Sequence, residues 1–344
     1  MPLTVREAGR AEADRWDDFV RVHPRGTPFH LTAWRRSVET VFGFEPRYLV
    51  AADGEEWRGV LPLFVVDNFL TGRVLISSPF AVYGGVLALS DAERSLFREH
   101  LTALGARLGV QYVELRNAYE DQCLGWPRID RYSTFVFPLA PRTRDELLQT
   151  LPKKTRNLVR KALRYPYETR RAEHLGPFLD LMARTYRRLG SPIFPAAWFR
   201  ALQREFGEMA DVREVHVGAN LVAASLNFYF REEMHTYYAA SAPEAWEKSP
   251  NNFLYFDHLC WAGGNGFRRF DFGRSKKDSG HSDFKRHWAA SIRDLPYEIL
   301  LVRRKRLPDF SPKNPRFRIV SSVWRRLPLR LTRALGPRLI RFFP

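Results

Sequence analysis

Cysteine is nearly missing from this sequence: 344 residues contain only Cys123 and Cys260, with no C-x-x-C and no Cys/His cluster at ligand spacing. A disulfide framework and a zinc site are both disfavoured, and a reducing cytoplasm is the expected compartment. Long apolar runs are missing too, since no stretch approaches the roughly 18 residues of a membrane-spanning helix. The first residues are polar and acidic (Glu7, Glu12, Asp14), unlike a secretory leader, so neither a signal peptide nor a span is expected. The sequence also lacks the glycine loops G-x-x-x-x-G-K-[ST] and G-x-G-x-x-G and the nucleophile elbow G-x-S-x-G, which argues against P-loop, Rossmann and α/β-hydrolase chemistry. Asp271-Phe272-Gly273 stands without an H-R-D loop, so it does not mark a kinase. His281 and His287 flank Lys285 with no third ligand nearby, and no metal is expected.

Acidic residues are scarce in two places. Residues 152–171 hold eight basic side chains against Glu168 alone, and residues 303–344 hold thirteen against Asp309 alone. Residues 1–151 (18 basic, 20 acidic) and 172–302 (16 and 16) are close to neutral. The net charge of +17 therefore belongs to two local anion-seeking segments on a neutral body, unlike a uniformly basic nucleic-acid binder.

What is plentiful is core material: 45% apolar residues, with 26 Phe, 13 Tyr and 9 Trp, enough for two ordinary domains. Thr32 caps a helix over Ala33–Phe42 that stops at Gly43. Arg47–Ala52 and Gly59–Val66 read as a hairpin, Val74–Ser77 as a strand, Asp91–Leu108 as a helix stopped by Gly109, and Tyr112–Arg116 as a strand. A similar order follows with strands Arg213–Val217, Val222–Phe230 and Met234–Ala240, helix Phe253–Ala262, the stop Gly263–Gly266, and strand Phe267–Phe272. Gly59 to Gly109 and Gly218 to Gly266 are nearly equal intervals, and Tyr83-Gly84-Gly85 matches Tyr237-Tyr238-Ala239 in this alignment. The pattern suggests a duplicated α/β unit. Between the copies, Leu158, Val159, Ala162 and Leu163 form an apolar helical stripe that leaves Lys153, Arg156, Arg160, Lys161 and Arg164 for an anion.

The order Ser249-Pro-Asn-Asn252, helix, Gly266-Phe-Arg-Arg-Phe-Asp-Phe-Gly-Arg-Ser275, Phe284-Lys285 and Trp288 resembles the FemAB-like branch of the GNAT superfamily. Ala33-Trp34-Arg35, Gly59–Phe64, Ser78–Phe80 and Leu151-Pro-Lys-Lys-Thr-Arg156 agree with it. The resemblance is nearest to FemAB-like proteins associated with PEP-CTERM/exosortase and exopolysaccharide systems. It implies an α/β (α+β) fold of two tandem GNAT-like domains, with mixed sheets flanked by helices, over 1–150 and 151–302, followed by a basic tail, 303–344. It also implies an N-acyltransferase acting on an amine of a cell-envelope or exopolysaccharide precursor. No cofactor is expected to be tightly bound; the donor is acyl-CoA or aminoacyl-tRNA, with tRNA then a partner.

By the same resemblance Phe284 and Lys285 match the family's Phe-Lys pair, with Lys285 set toward the carbonyl oxygen or donor phosphates. Lys153, Arg156 and Arg160 would hold an anionic substrate, and Tyr83, Tyr238, Asn252, Arg274 and Ser275 would line the cleft. Asp271 and Asp283 are candidates for a base or for orienting a cation. A non-catalytic binder of anionic glycan or RNA is the rival reading. For the Arg- and Phe-bearing tail, an anionic membrane surface on the inner face of the membrane, the protein body and nucleic acid all stand as partners.

Overall fold

The computed structural model describes residues 2–288, 291–307 and 315–344. In chain order the first elements are β1 (Leu3–Glu7), α1 (Ala13–Val22), α2 (Thr32–Phe42), β2 (Glu45–Pro46), β3 (Leu49–Asp53), β4 (Glu56–Leu61), β5 (Phe64–Asn68) and β6 (Gly72–Ile76). They continue through β7 (Leu87–Ala88), α3 (Asp91–Leu108), β8 (Tyr112–Leu115) and β9 (Arg128–Ile129). Next come β10 (Tyr132–Pro138), α4 (Arg144–Thr150), α5 (Lys153–Ala162), β11 (Glu168–Arg171), α6 (Gly176–Leu189) and α7 (Ala196–Phe206). After these lie β12 (Ala210–Val217), β13 (Asn220–Phe230), β14 (Glu233–Ser241), α8 (Pro250–Gly264), β15 (Arg269–Asp271), β16 (Ser275–Lys276) and α9 (Gly280–Arg286). Last are β17 (Ser291–Asp294), β18 (Tyr297–Leu301), α10 (Pro315–Arg326) and α11 (Leu329–Ile340).

Contacts divide the chain into two units, Met1–Arg131 with Asp294–Ser311 and Leu339–Pro344, and Tyr132–Arg293 with Pro312–Arg338. This differs from a division at 150 and 302 because strand pairing ignores those positions. Strand β10 pairs with β15, while β18 pairs with β8 and β9.

The first unit holds two sheets among the described residues, ordered β1-β3-β4-β7 and β2-β5-β6-β8-β18-β9. The expected single strand Gly59–Val66 is in fact two strands in different sheets. Pro62 has no N–H to give a ladder, so the chain leaves one sheet there and enters the other. Helix α3 is capped by the Ser90 side chain and closed by Gly109 at φ 62°. It crosses over from β6 to the parallel strand β8, burying Phe97, Leu101 and Leu104 on Leu75, Val113 and Leu115. The loop after β6 holds Ser78 and Phe80 at positive φ (43° and 66°), a backbone cost that surrounding bonds must offset. The Ser78 hydroxyl donates to the Phe29 carbonyl, and the Arg116 guanidinium donates to the carbonyls of Ser78 and Ala81.

The second unit has one large mixed sheet, β11-β12-β13-β14-β15-β10-β16, with β17 beside β10. The hairpin β13–β14 is followed by α8 and the parallel strand β15. On one face, Met234, Phe270 and Phe272 meet Tyr255, Phe256 and Leu259 of α8, with Val159 of α5 in the same core. Helix α5 buries Thr155, Val159 and Ala162. Leu158 and Leu163, expected in its apolar stripe, are 37% and 40% exposed, because the docking face follows the i, i+4, i+7 row alone. Strand alternation turns His235 and Asp271 to the opposite face, where α6 and α7 pack.

Candidate active site

Strands β14 and β15 run parallel for three residues only, ending with His235 opposite Asp271. Beyond that pair β14 continues against β13 alone, with a register irregularity at Leu226/Asn227 that sets Leu226 opposite Tyr238 and Asn227 opposite Thr236. The extra residue, Tyr237, turns Tyr238 toward the aromatic side of α7. The two strands part at their C-terminal ends, the place where open α/β sheets receive ligands. The chain after β15 crosses the opening as Phe272-Gly273-Arg274. Gly273 adopts φ 73°, and a Cβ there would lie 3.6 Å from the Thr236 carbonyl and 3.8 Å from Lys285 Nζ.

Asp271 is 1% exposed. Its Oδ1 accepts from the Gly273 N–H at 2.6 Å and from the Thr134 hydroxyl at 3.1 Å, and its Oδ2 lies 3.5 Å from His235 Nδ1. On the other side of the ring, His235 Nε2 lies 3.7 Å from Glu233. Burial alone would lower the imidazole pKa, but Glu233 and Asp271 outweigh it and hold the pKa above its ordinary value. Glu233, His235 and Asp271 are close enough to be considered for a metal. The carboxylates face different ring nitrogens, so they flank the imidazole from two sides. Asp271 is thus an anchored anion with its proton-accepting positions largely taken.

Lys285 reaches the opening from α9. Its Nζ donates to the Gly273 carbonyl at 2.9 Å and the Arg274 carbonyl at 3.2 Å, leaving one of three N–H bonds without a partner among the described residues. Desolvation pulls its pKa down to about 8, opposed by Asp271 and aided by the Arg274 charge. Tyr238 is a second unspent donor. Its oxygen accepts from Trp198 Nε1 at 3.0 Å, its own hydrogen has no acceptor among the described residues, and burial raises its pKa well above the ordinary value. The ring sits among Phe194, Phe199 and Tyr237.

The remaining expected residues divide. The Arg274 guanidinium stacks over Tyr132 at 4.6 Å, and buried Ser275 pairs with Ser133 of β10. Asn252 is buried in the first turn of α8, its N–H donating to the Ser249 carbonyl; that turn leaves the same end of the sheet. Phe284 lies against Tyr255 and Trp288 (centroids 5.5 and 6.3 Å), so it anchors the helix that carries Lys285. Lys153, Arg156 and Arg160 lie on α5, which packs with α8 and whose Thr155 hydroxyl donates to the His287 carbonyl just after α9 at 2.7 Å. There Arg156 is held by Gln149 at 2.9 Å. Asp283 is exposed on α9, where its carbonyl accepts from His287 Nδ1 at 2.6 Å. Tyr83 belongs to the first unit, buried against Phe29. The sequence reading missed Glu233, His235, Thr134 and Trp198. Ionisable residues at alternate positions 233 and 235 of an otherwise apolar strand were the available signal.

Residues 147–286, which carry Asp271, Lys285 and Tyr238, match the family model of the acetyltransferase (GNAT) domain. No curated protein matches the chain in sequence. Among solved structures, FemX superposes with a TM-score of 0.67 at 15% identity, covering 92% of this chain and 99% of its own. L-PGS from Bacillus licheniformis gives 0.56 at 13% identity over 93% and 98%. A tandem GNAT protein from the clavulanic acid biosynthesis pathway gives 0.53 at 12% identity over 90% and 99%. Residues 147–286 are thus similar to an acetyltransferase (GNAT) domain, which supports an acyltransferase, and the chain shares its α/β fold with FemX.

Proposed function

We propose that the second unit transfers an acyl or aminoacyl group from an activated donor to an amine of a cell-envelope or exopolysaccharide precursor. The observation that carries this reading is a pair of donors with a hydrogen to spare, the half-buried Lys285 ammonium and the buried Tyr238 hydroxyl, where β14 and β15 part. In such a transfer the amine lone pair forms the new C–N bond and the carbonyl oxygen takes on negative charge. The C–S or C–O bond to the leaving group then breaks, and the amine proton passes to that group or to water. Donors fixed toward the oxygen away from bulk water lower this barrier by several kcal/mol.

Lys285 acts here as a cation, held by two carbonyls, and Asp271 keeps that cation and the Gly273 turn in place. Donor phosphates of acyl-CoA or the tRNA end fit the first turn of α8, with Asn252. The envelope or exopolysaccharide acceptor is supported by the resemblance to FemAB-like proteins of PEP-CTERM/exosortase systems and by the folds of FemX and L-PGS. Work on such precursors suits the inner face of the membrane. Among the described residues no helix is long and apolar enough to cross one.

The test is a donor screen, acyl-CoA thioesters against charged tRNA, with transfer to an amine as readout. One donor class supports transfer, turnover falls as pH rises through about 8 and Lys285 loses its proton, and Lys285→Ala lowers transfer by about 10²–10³-fold with little change in its unfolding temperature. No transfer from any donor, or full activity in Lys285→Ala, overturns the reading. A second reading, a binder of anionic glycan or RNA, rests on α5, where Lys153, Arg160, Lys161 and Arg164 are exposed with no ion pair among the described residues. Binding of these polymers without transfer from any donor would favour it.

A further inference from the structure

Helix α10 is fixed from its inner side. Trp324 is buried, Arg187 Nε of α6 donates to the Leu327 carbonyl at 2.6 Å, and Arg325 donates to the Leu189 carbonyl. Gly190, at φ 74°, lies so close that a Cβ there would come within 2.1 Å of Ser321 Oγ. These contacts settle which way the helix faces, and they turn Ile319, Val320 and Val323 outward, 63%, 62% and 53% exposed. At 100° per residue the three form one ridge within an arc of about 100°, centred roughly opposite Ser321. Exposed Arg326 and Arg330 follow this ridge with no ion pair among the described residues. Arg204, Arg171 and Arg268 of the same unit are by contrast ion-paired, with Glu205, Glu208 and Glu232.

An exposed ridge of β-branched side chains and a set of unpaired cations each ask for a partner. A second copy of the chain would cover the ridge but bring like charges together. A nucleic acid would meet the cations and leave the ridge in water. A bilayer with anionic headgroups meets both needs, taking the ridge into the headgroup and acyl boundary and the guanidinium groups at the phosphates. We propose that the Ile319–Val320–Val323 ridge of α10, flanked by Arg326 and Arg330, docks the protein on an anionic lipid surface. This deepens the reading of where the enzyme works but does not rest on its chemistry, so a Lys285→Ala protein docks as well as the unaltered one.

The test is sedimentation of full-length protein with vesicles of phosphatidylcholine alone and of phosphatidylcholine mixed with phosphatidylglycerol. Binding is expected on the mixed vesicles only, falling steeply with added salt. Val320→Glu with Val323→Glu is expected to cut it at least ~10-fold, and Arg326→Gln or Arg330→Gln about fivefold each, from roughly 1 kcal/mol per basic residue. Circular dichroism should show these exposed substitutions leaving the fold unchanged. The proposal is overturned if the unaltered protein stays in the supernatant, if it binds neutral vesicles equally, or if the double glutamate variant binds undiminished. It is also overturned if that variant instead turns a dimer into a monomer.

Discussion

The two units repeat one frame and finish it differently. In the first, β5, β6, α3 and β8 form an antiparallel pair, a helical crossover and a parallel strand; β13, β14, α8 and β15 do the same in the second. Register places Ile76 opposite Glu114 as it places His235 opposite Asp271, so a carboxylate stands at the parting of the strands in both. In the first unit, Arg116, two residues further on, answers it. The guanidinium bonds Glu114 at 2.9 Å and the carbonyls of Ser78 and Ala81, closing the gap with the loop after β6. In the second, the corresponding stretch is Gly273-Arg274, which offers carbonyls, and the cation comes from another helix as Lys285. At this one place the first unit satisfies its cation with a carboxylate and two carbonyls, whereas the second leaves one N–H of its cation without a partner among the described residues.

The largest expected effects set these two cations against each other. Lys285→Ala should lower turnover by about 10²–10³-fold, the scale of losing one oxyanion donor, with little change in unfolding temperature. Arg116→Ala should do the reverse, removing about 3 kcal/mol of stability because the Glu114 charge and two carbonyls lose their partner, while the folded fraction keeps its specific activity. Matching phenotypes from denaturant titration and initial rates would erase the distinction. Smaller is the effect at the second donor. Tyr238→Phe should cost about tenfold in turnover, the worth of one hydrogen bond to a charged group. Trp198→Phe, which only frees the hydroxyl to turn, should cost a few-fold and add little on top of Tyr238→Phe. Additive losses in that double-variant cycle would show that the indole does not act through the tyrosine.

The smallest effect is in the response to pH. His235 has its folded pKa raised by Glu233 and Asp271, so its stabilisation is complete below the unfolded pKa and fades as pH climbs through the folded one. Buried His30 of the first unit has its pKa lowered by desolvation to about 3, and the same holds for His258 of the second. Both lose stability as pH falls below their unfolded value. His235→Asn should flatten the alkaline side of a plot of unfolding temperature against pH, and His30→Asn the acid side. An alkaline slope unchanged by His235→Asn would mean that the imidazolium contributes nothing.

Local rules were readable from the residues. Helix Asp91–Leu108 was delimited correctly because Ser90 and Gly109 supply its start and stop. The duplicated crossover was visible in the equal glycine intervals. The pairing of Tyr83 with Tyr237 was not, since strand register makes Ser78 the counterpart of Tyr237. Lys285, Asp271 and Tyr238 were singled out from the sequence, but the neighbours the fold gives the last two, His235, Thr134 and Trp198, come from elements far apart in sequence. The fate of α5 was hidden for a similar reason: a charge run does not say which face of a sheet it will cover. Nor does a boundary drawn from composition foresee that β10 and β18 each close the sheet of the other stretch.

That last arrangement sets an order in time. Strand β18 lies between β8 and β9, and its Glu298 accepts from the N–H groups of Leu124, Gly125 and Trp126 and from the Asn117 amide. The first unit therefore cannot complete its sheet until the ribosome has passed residue 301. At about 5–20 residues per second, that leaves the nascent strand β8 without its neighbour for roughly ten to forty seconds. Throughout that interval the edge is open to the wrong strand, and a chaperone would find its substrate there.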